Sequence, residues 1–207
     1  MSIPMVVVTG PDGSGKSTAC KGAAMRLEEQ FGKGTIGAAS IWDSMTATGA
    51  FKKEAVVRYL SALGGPARTL FLFHAMRHSV ELALAKAPRL LVVDSYFYKY
   101  AASELAYGTA SSIVRGAAVG FEKPALTLYL DVEVAAALKR KKETSQYESD
   151  GGDFLKFQKS MQAHWKQLEA EHGPWIHISS CETAEATLTK VVAAIDRAGV
   201  CKQMPSS

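Results

Sequence analysis

The chain has 207 residues, 47% hydrophobic and 21% charged, the proportions of a globular domain with a sizeable core, and these exclude wholesale disorder. Its 24 basic and 20 acidic residues leave a formal net charge of +4, enough to favour small anions and too weak to argue for a nucleic-acid partner. Cys20, Cys181 and Cys201 are widely spaced with no C-x-x-C pair, and no apolar run reaches membrane-spanning length. They read as free thiols of a reducing cytosol, in a cytoplasmic protein that is neither secreted nor held in a membrane.

Taken in order, Met5-Val6-Val7-Val8-Thr9 is a short apolar, β-branched run and predicts a buried strand. Gly10-Pro11-Asp12-Gly13-Ser14-Gly15-Lys16-Ser17-Thr18 follows and fits G-x-x-x-x-G-K-[ST] without a mismatch. Behind it Cys20, Ala23, Ala24, Leu27 and Phe31 recur at helical spacing as far as Gly32. Strand, glycine-rich loop and helix is the order a phosphate-binding loop needs. The glycines let backbone N–H groups turn toward an anion, and the helix adds the positive end of its dipole. Lys16 is then expected on the β- and γ-phosphates of ATP and the Ser17 hydroxyl on Mg²⁺.

Thr35 to Trp42 predicts a second strand, with Asp43–Gly49 a polar loop at its carboxyl end. A helix is expected over Phe51 to Leu63, closed by Gly64-Gly65-Pro66, and a longer one from about Ala67 to Lys86. Leu90–Asp94 is the clearest central strand, and the aromatic-rich stretch Ser95–Tyr107 follows it. After Pro124 comes the strand Leu126–Asp131, then a helix through Val134, Ala137 and Leu138 into the basic cluster Lys139–Lys142. Thr144–Gly152 is polar and predicts a short mobile lid. A helix from Asp153 carries Phe154, Phe157, Met161, Trp165 and Leu168 on one stripe and stops at Gly173-Pro174. Trp175–Ser179 makes a last strand, and Thr183 caps a final helix burying Leu188, Val191, Val192 and Ile195. Strands alternating with helices predict a three-layer α/β/α fold around a five-stranded parallel sheet. It is read as a single domain over 1–199, with the lid at about 140–152 and a flexible tail at 200–207. Ligands of such folds sit beyond the carboxyl ends of the strands, which singles out Gly10–Ser17, Asp43–Gly49 and Asp94–Tyr100.

Asp94 ends an apolar strand and is the candidate second Mg²⁺-site group; a helix cap is its other reading, and Asp131 competes for the metal role. Phe73 and Arg77 lie four apart on one helix and share a face. A ring and a guanidinium so placed can stack on and hydrogen-bond a nucleobase, or be a core Phe beside a surface Arg. Lys139–Lys142 reads either as charge carried onto transferring phosphates by a lid or as a solvated helix end.

These residues together resemble the thymidylate kinase family, which transfers the γ-phosphoryl of ATP to dTMP. Beside the loop, Phe73-His74-Ala75-Met76-Arg77 stands against the family's Phe-x-Ala-x-Arg, and Asp94-Ser95-Tyr96 against its Asp-Arg-Tyr/His. Ser103–Gly108, Pro124–Val132, Leu138-Lys139-Arg140 and Tyr147-Glu148 match further stretches nearly to the end of the chain. The resemblance implies that Phe73 stacks on the acceptor base and Arg77 hydrogen-bonds it. Asp12 would lie near the acceptor sugar, Asp94 near Mg²⁺, Arg140 on the ATP side, and 179–183 beside the adenine. Ser95, Tyr96, Lys99 and Tyr147 are further acceptor-side candidates, and a second copy of the chain is a candidate partner. The departures concern charge: Ser95 and Ser44 stand where the family holds the acceptor's phosphate with arginines. No base occurs at 11–14 or 144–150, where the family places its catalytic arginine. Lys52, Lys53, Arg58 and Lys99 are the available substitutes. The expectation is an ATP- and Mg²⁺-dependent kinase of dTMP. Its alternatives are a kinase of the same fold with another, even phosphate-free, acceptor, and a nucleotide-binding protein with little turnover.

Overall fold

The computed structural model describes residues 3–46, 52–141, 146–149, 152–180 and 183–205. The chain runs through β1 (Met5–Thr9), α1 (Lys16–Phe31), β2 (Ile36–Ala39), α2 (Ile41–Thr46), α3 (Lys53–Ala62) and α4 (Gly65–Leu84). It continues with β3 (Leu90–Asp94), α5 (Tyr96–Ala106), α6 (Ser111–Ala118), β4 (Leu126–Asp131), α7 (Val134–Arg140) and α8 (Gln146–Ser149). α9 (Phe154–His172), β5 (Ile176–Ser179), α10 (Ala184–Arg197) and a 3₁₀ turn (Val200–Gln203) complete it.

The five strands pair in parallel in the order β2-β3-β1-β4-β5. β1 is central, with Val6 opposite Val92 on one side and Val8 opposite Leu128 on the other. Because side chains alternate along a strand, each apolar run feeds two cores. Val6, Val8, Leu90, Val92, Leu128 and Leu130 pack with α1 and α10. Val7, Leu91 and Val93 pack with α4, α5 and α9. Val6, Val7 and Val8 are wholly buried, each contributing roughly 1.5–3 kcal/mol. The sheet and its two helical layers are those expected from the sequence.

The differences lie at boundaries. β2 stops at Ala39 because the Asp43 carboxylate accepts the Ser40 N–H at 2.7 Å and starts α2; part of the expected polar loop is therefore helix, and 47–51 lie outside the described residues. Pro66 belongs to the first turn of α4 and opens that helix, where the sequence reading had it closing α3, since the position needs no N–H. α6 has no counterpart in the sequence expectations. Asp153 and Thr183 both cap, accepting from Lys156 N and Ala186 N at 3.1 Å. All five expected α9 residues are buried, but the α10 stripe runs Thr187, Val191, Ala194, Ile195, leaving Leu188 and Val192 at its margin. Of the expected tail, 200–205 are described: Val200 is buried and Arg89 Nε donates to the Pro205 carbonyl at 2.6 Å, while 206–207 lie outside the described residues. Among the described residues no helix is long and apolar enough to cross a membrane.

Candidate active site

The glycine-rich loop joins central β1 to α1. Gly13 has φ +84, and a Cβ there would come within 2.5 Å of the Ala137 carbonyl oxygen, so only glycine lets α7 pack onto the loop. Gly15 has φ +86 and nothing within 4 Å of its Cβ position, which leaves open space at the start of α1. No side chain caps that helix and no acidic residue occupies its first turn, so its leading N–H groups and dipole are available to an anion. Lys16 lies folded over the loop, its ammonium donating to the Pro11 carbonyl at 3.0 Å. The buried Ser14 hydroxyl has no partner among the described residues.

Over this loop opens a cavity of about 850 Å³. Lys16, Ser17 and Thr18 form its floor, and Asp94, Ser95 and Lys99 one wall. Trp42 from α2, and Glu54, Val57, Arg58 and Ser61 from α3, form the facing wall, with Lys141 and Glu148 at the rim. The turn after β3 is unusual: Ser95 and Tyr96 both take positive φ, +69 and +52. Each such residue costs on the order of 1–3 kcal/mol and persists only where its surroundings hold it. Here Ser95 N donates to the Val8 carbonyl at 2.8 Å, and Thr9 Oγ1 donates to the Ser95 carbonyl at 3.1 Å. Ser95 Oγ in turn donates to Asp94 Oδ1 at 2.8 Å. The turn is thus tied to β1, and Asp94 is held in the same cavity as Ser17. A hydroxyl and a carboxylate are an oxygen set that fits Mg²⁺, a cation that takes one or two protein ligands and completes its shell with phosphate and water. Among the described residues no group of three or more His, Cys, Asp or Glu side chains offers a dedicated metal cage.

Asp12 is the electrostatic centre. Its side chain is 5% exposed, with Lys99 Nζ 2.7 Å and Lys16 Nζ 3.5 Å from the same oxygen, Oδ1. Burial alone would raise this carboxyl, but Lys99 and then Lys16 outweigh burial and hold it well below the usual carboxylate range. Lys99 is raised, the attraction of Asp12 overcoming burial, whereas burial dominates at Lys16 and lowers it. Gln158, 2% exposed on α9, grips Asp12 from the other side. Its Oε1 accepts the Asp12 N–H at 3.3 Å, and its Nε2 donates to Asp12 Oδ2 at 3.4 Å and to the Glu148 carbonyl at 3.3 Å.

A second buried anion, Glu104, is fully enclosed. Arg68 binds it through Nε (2.7 Å) and one terminal nitrogen (3.1 Å), and the Thr69, Thr109 and Tyr147 hydroxyls donate at 3.1–3.3 Å. Tyr107 OH also donates to the Tyr147 carbonyl at 2.5 Å. α8 is thereby fastened to α4 and α5, and Lys141 pairs with Glu148 at 2.6 Å.

Of the residues singled out in the sequence, Asp12, Gly13, Gly15, Lys16, Ser17, Thr18, Asp94, Ser95 and Lys99 come together in the cavity. Arg140 borders a smaller cavity of about 280 Å³ with Ser14, Gly15, Ala184 and Thr187, on the α10 side of the loop. Phe73 is not brought to the main cavity: 3% exposed, it packs against Phe97 and Phe121. Arg77 is outside it as well, its Nε on Glu81 at 2.9 Å and a terminal nitrogen on the Gly120 carbonyl at 3.0 Å. Tyr96 is buried with its hydroxyl on the Glu122 carbonyl, and Tyr147 sits on Glu104. Ser44 N donates to Ser79 Oγ on α4. Asp131 meets His177, whose other ring nitrogen reaches Glu169, around a different cavity of about 310 Å³. Residues 142–145 and 150–151 of the lid, and 181–182 of the stretch beside the expected adenine site, lie outside the described residues.

Gln158, Glu104, Trp42 and, of the α3 wall, Glu54, Val57 and Ser61 are not marked as site residues by the sequence, whereas Arg58 is. For the first two a signal existed: each is a polar residue inside an otherwise apolar helical stripe, which demands buried partners.

Compared with models of known protein families, residues 8–191 match the one described as thymidylate kinase. No curated protein matches the chain.

Proposed function

Since this chain belongs to the thymidylate kinase family, whose model matches residues 8–191, we propose that it transfers the γ-phosphoryl of ATP, with Mg²⁺, to a nucleoside monophosphate, dTMP being the first candidate. The observation that carries this reading is the gathering of Lys16, Ser17 and Asp94 around the open N-terminus of α1 in one cavity large enough for two substrates. Phosphoryl transfer asks for positioning and charge neutralisation more than covalent help. The α1 N–H groups and Lys16 receive the ATP phosphates, and Arg140 lies on the nucleoside side of the loop. Ser17 and Asp94 would hold Mg²⁺, which supplies further positive charge to the phosphate oxygens when bound. The acceptor enters against Trp42, Val57 and Arg58.

Two observations favour a second reading, a kinase of the same fold with a different acceptor. Ser95 replaces the arginine expected there, and Phe73 and Arg77 are engaged away from the cavity. The test is steady-state transfer to dTMP, other nucleoside monophosphates and phosphate-free nucleosides, with ATP consumption measured with and without each. Lys16→Ala is expected to lose about 10²–10³ in rate while keeping its fold by circular dichroism. Wild-type turnover by that variant would remove the phosphate-loop assignment. ATP binding without acceptor-dependent consumption would leave a nucleotide-binding protein.

A further inference from the structure

The cationic groups around the loop are distributed unevenly. Residues 11–14 contain no base, and neither does α8, the helical part of the lid. Lys141 pairs with Glu148 at 2.6 Å, Arg140 borders the smaller cavity, and Arg58 lines the main one from α3. Lys99 is placed differently. It stands in the first turn of α5 and lines the main cavity beside Lys16, Asp94 and Ser95. Its ammonium crosses to the phosphate-binding loop to reach Asp12 Oδ1 at 2.7 Å.

We propose that Lys99 is the catalytic cation of this site, a charge delivered from α5 to the phosphoryl group in transfer, and that Asp12 is the positioning residue that aims it. The role rests on the phosphoryl-transfer reading above. Two ammonium groups share the Asp12 carboxylate, whereas Lys141 is paired with Glu148. Both Asp12 oxygens are occupied, Oδ1 by the two lysines and Oδ2 by Gln158. Asp12 is thus engaged in holding Lys99, a role beyond the place near the acceptor sugar that the family resemblance implied for it. Gln158 also bonds the Asp12 N–H, so carboxylate and loop backbone are fixed together and the ammonium they hold is preorganised. Preorganised charge acts where negative charge develops in the transition state and needs no rearrangement at that moment.

In the step itself an oxygen lone pair of the acceptor forms a bond to the γ-phosphorus as the bond to the bridging oxygen breaks. The electron pair of that bond leaves on ADP, and any proton on the acceptor oxygen passes to water. Lys99 stays protonated throughout, its raised pKa being consistent with that.

The test compares Lys99→Met and Lys99→Arg with wild type in steady-state transfer to dTMP. Calorimetric binding of ADP, and of ADP with aluminium fluoride, is measured in parallel. Lys99→Met is expected to lose about 10²–10³ in kcat with acceptor KM nearly unchanged. It is expected to bind ADP normally and the aluminium fluoride complex more weakly by a similar factor, because the latter mimics the transition state. Lys99→Arg recovers much of both. If the lone buried Asp12 charge unfolds Lys99→Met, the charge-balanced double variant Asp12→Asn/Lys99→Met carries the same expectation. A Lys99→Met enzyme that keeps kcat and raises acceptor KM makes Lys99 an acceptor ligand and overturns the proposal. Unchanged affinity for the aluminium fluoride complex also overturns it. Wild-type protein that transfers phosphoryl to no acceptor overturns the kinase reading itself, a result distinct from either.

Discussion

Ser95→Arg tests the acceptor end of the cavity directly. Ser95 is 4% exposed and its hydroxyl is spent on Asp94, so it offers an incoming monophosphate nothing. Lys99 is held by Asp12, and Arg58 is a further cation lining the cavity that could meet a phosphate dianion. An arginine at position 95 adds a planar donor for that anion, each charge-assisted hydrogen bond being worth about 1.5–3 kcal/mol. One such bond lowers the KM for dTMP by roughly 10–10². The substitution has a second effect. Asp94 loses the Ser95 hydrogen bond and gains a cationic neighbour that competes with metal, so the Mg²⁺ requirement rises and kcat falls. Ser95→Ala separates the two, removing only the hydroxyl; it is expected to raise the Mg²⁺ needed for half-maximal rate while leaving the KM for dTMP alone. Initial rates over dTMP concentration at several Mg²⁺ levels measure both. Efficient dTMP turnover by the native protein, with a KM that Ser95→Arg does not move, would refute the reasoning.

Phe73→Ala should destabilise the protein by about 3–5 kcal/mol, a fall in Tm of roughly 6–20 °C for a chain of this size, because the ring is buried between Phe97 and Phe121. Arg77→Ala removes an exposed pair worth about 0.3–0.5 kcal/mol and should leave the acceptor KM unchanged; a large rise would show that this face of α4 reaches the acceptor. Gly13→Ala should weaken ATP binding and lower Tm together, since its methyl would meet the Ala137 carbonyl at 2.5 Å; calorimetry and thermal denaturation that both match wild type would refute that packing. His177 is raised above 6.5 because, although burial opposes it, the hydrogen bonds its ring donates to the Asp131 and Glu169 carboxylates prevail. Its contribution to stability is then full below pH 6.5 and lost as pH rises through the raised value. The stability gap between wild type and His177→Gln in urea should shrink across that range, and a gap that widens would reverse the assignment.

What the sequence made legible follows from how local each signal is. β1, β3 and β4 are predominantly apolar runs of the kind a buried parallel sheet accommodates, and all three lie where expected. β2 is Ile-Gly-Ala-Ala, with a single β-branched side chain to mark it as a strand, and its end is set by a cap three residues on. The phosphate-binding half of the site is contiguous, so its motif could be read directly. The facing wall is assembled from α2 and α3, and no spacing announces it. Phe73 and Arg77 do share a face, as their separation of four requires. Which way that face points is decided by α4 packing on α5 and α6, information absent from the helix itself.

The central place of β1 has a consequence for biosynthesis. Met5–Thr9 is made first, yet its two hydrogen-bonding neighbours, β3 and β4, are not complete until residues 94 and 131. At roughly 5–20 residues per second, the most apolar strand of the sheet is exposed for on the order of ten seconds with both edges bare. Non-local parallel pairing of this kind forms slowly, and an unpaired apolar strand is a template for other chains. The nascent chain is therefore most prone to aggregate before β4 is released, and a folding helper that shields the first strand during translation would raise the yield of native protein more than any change to its finished core.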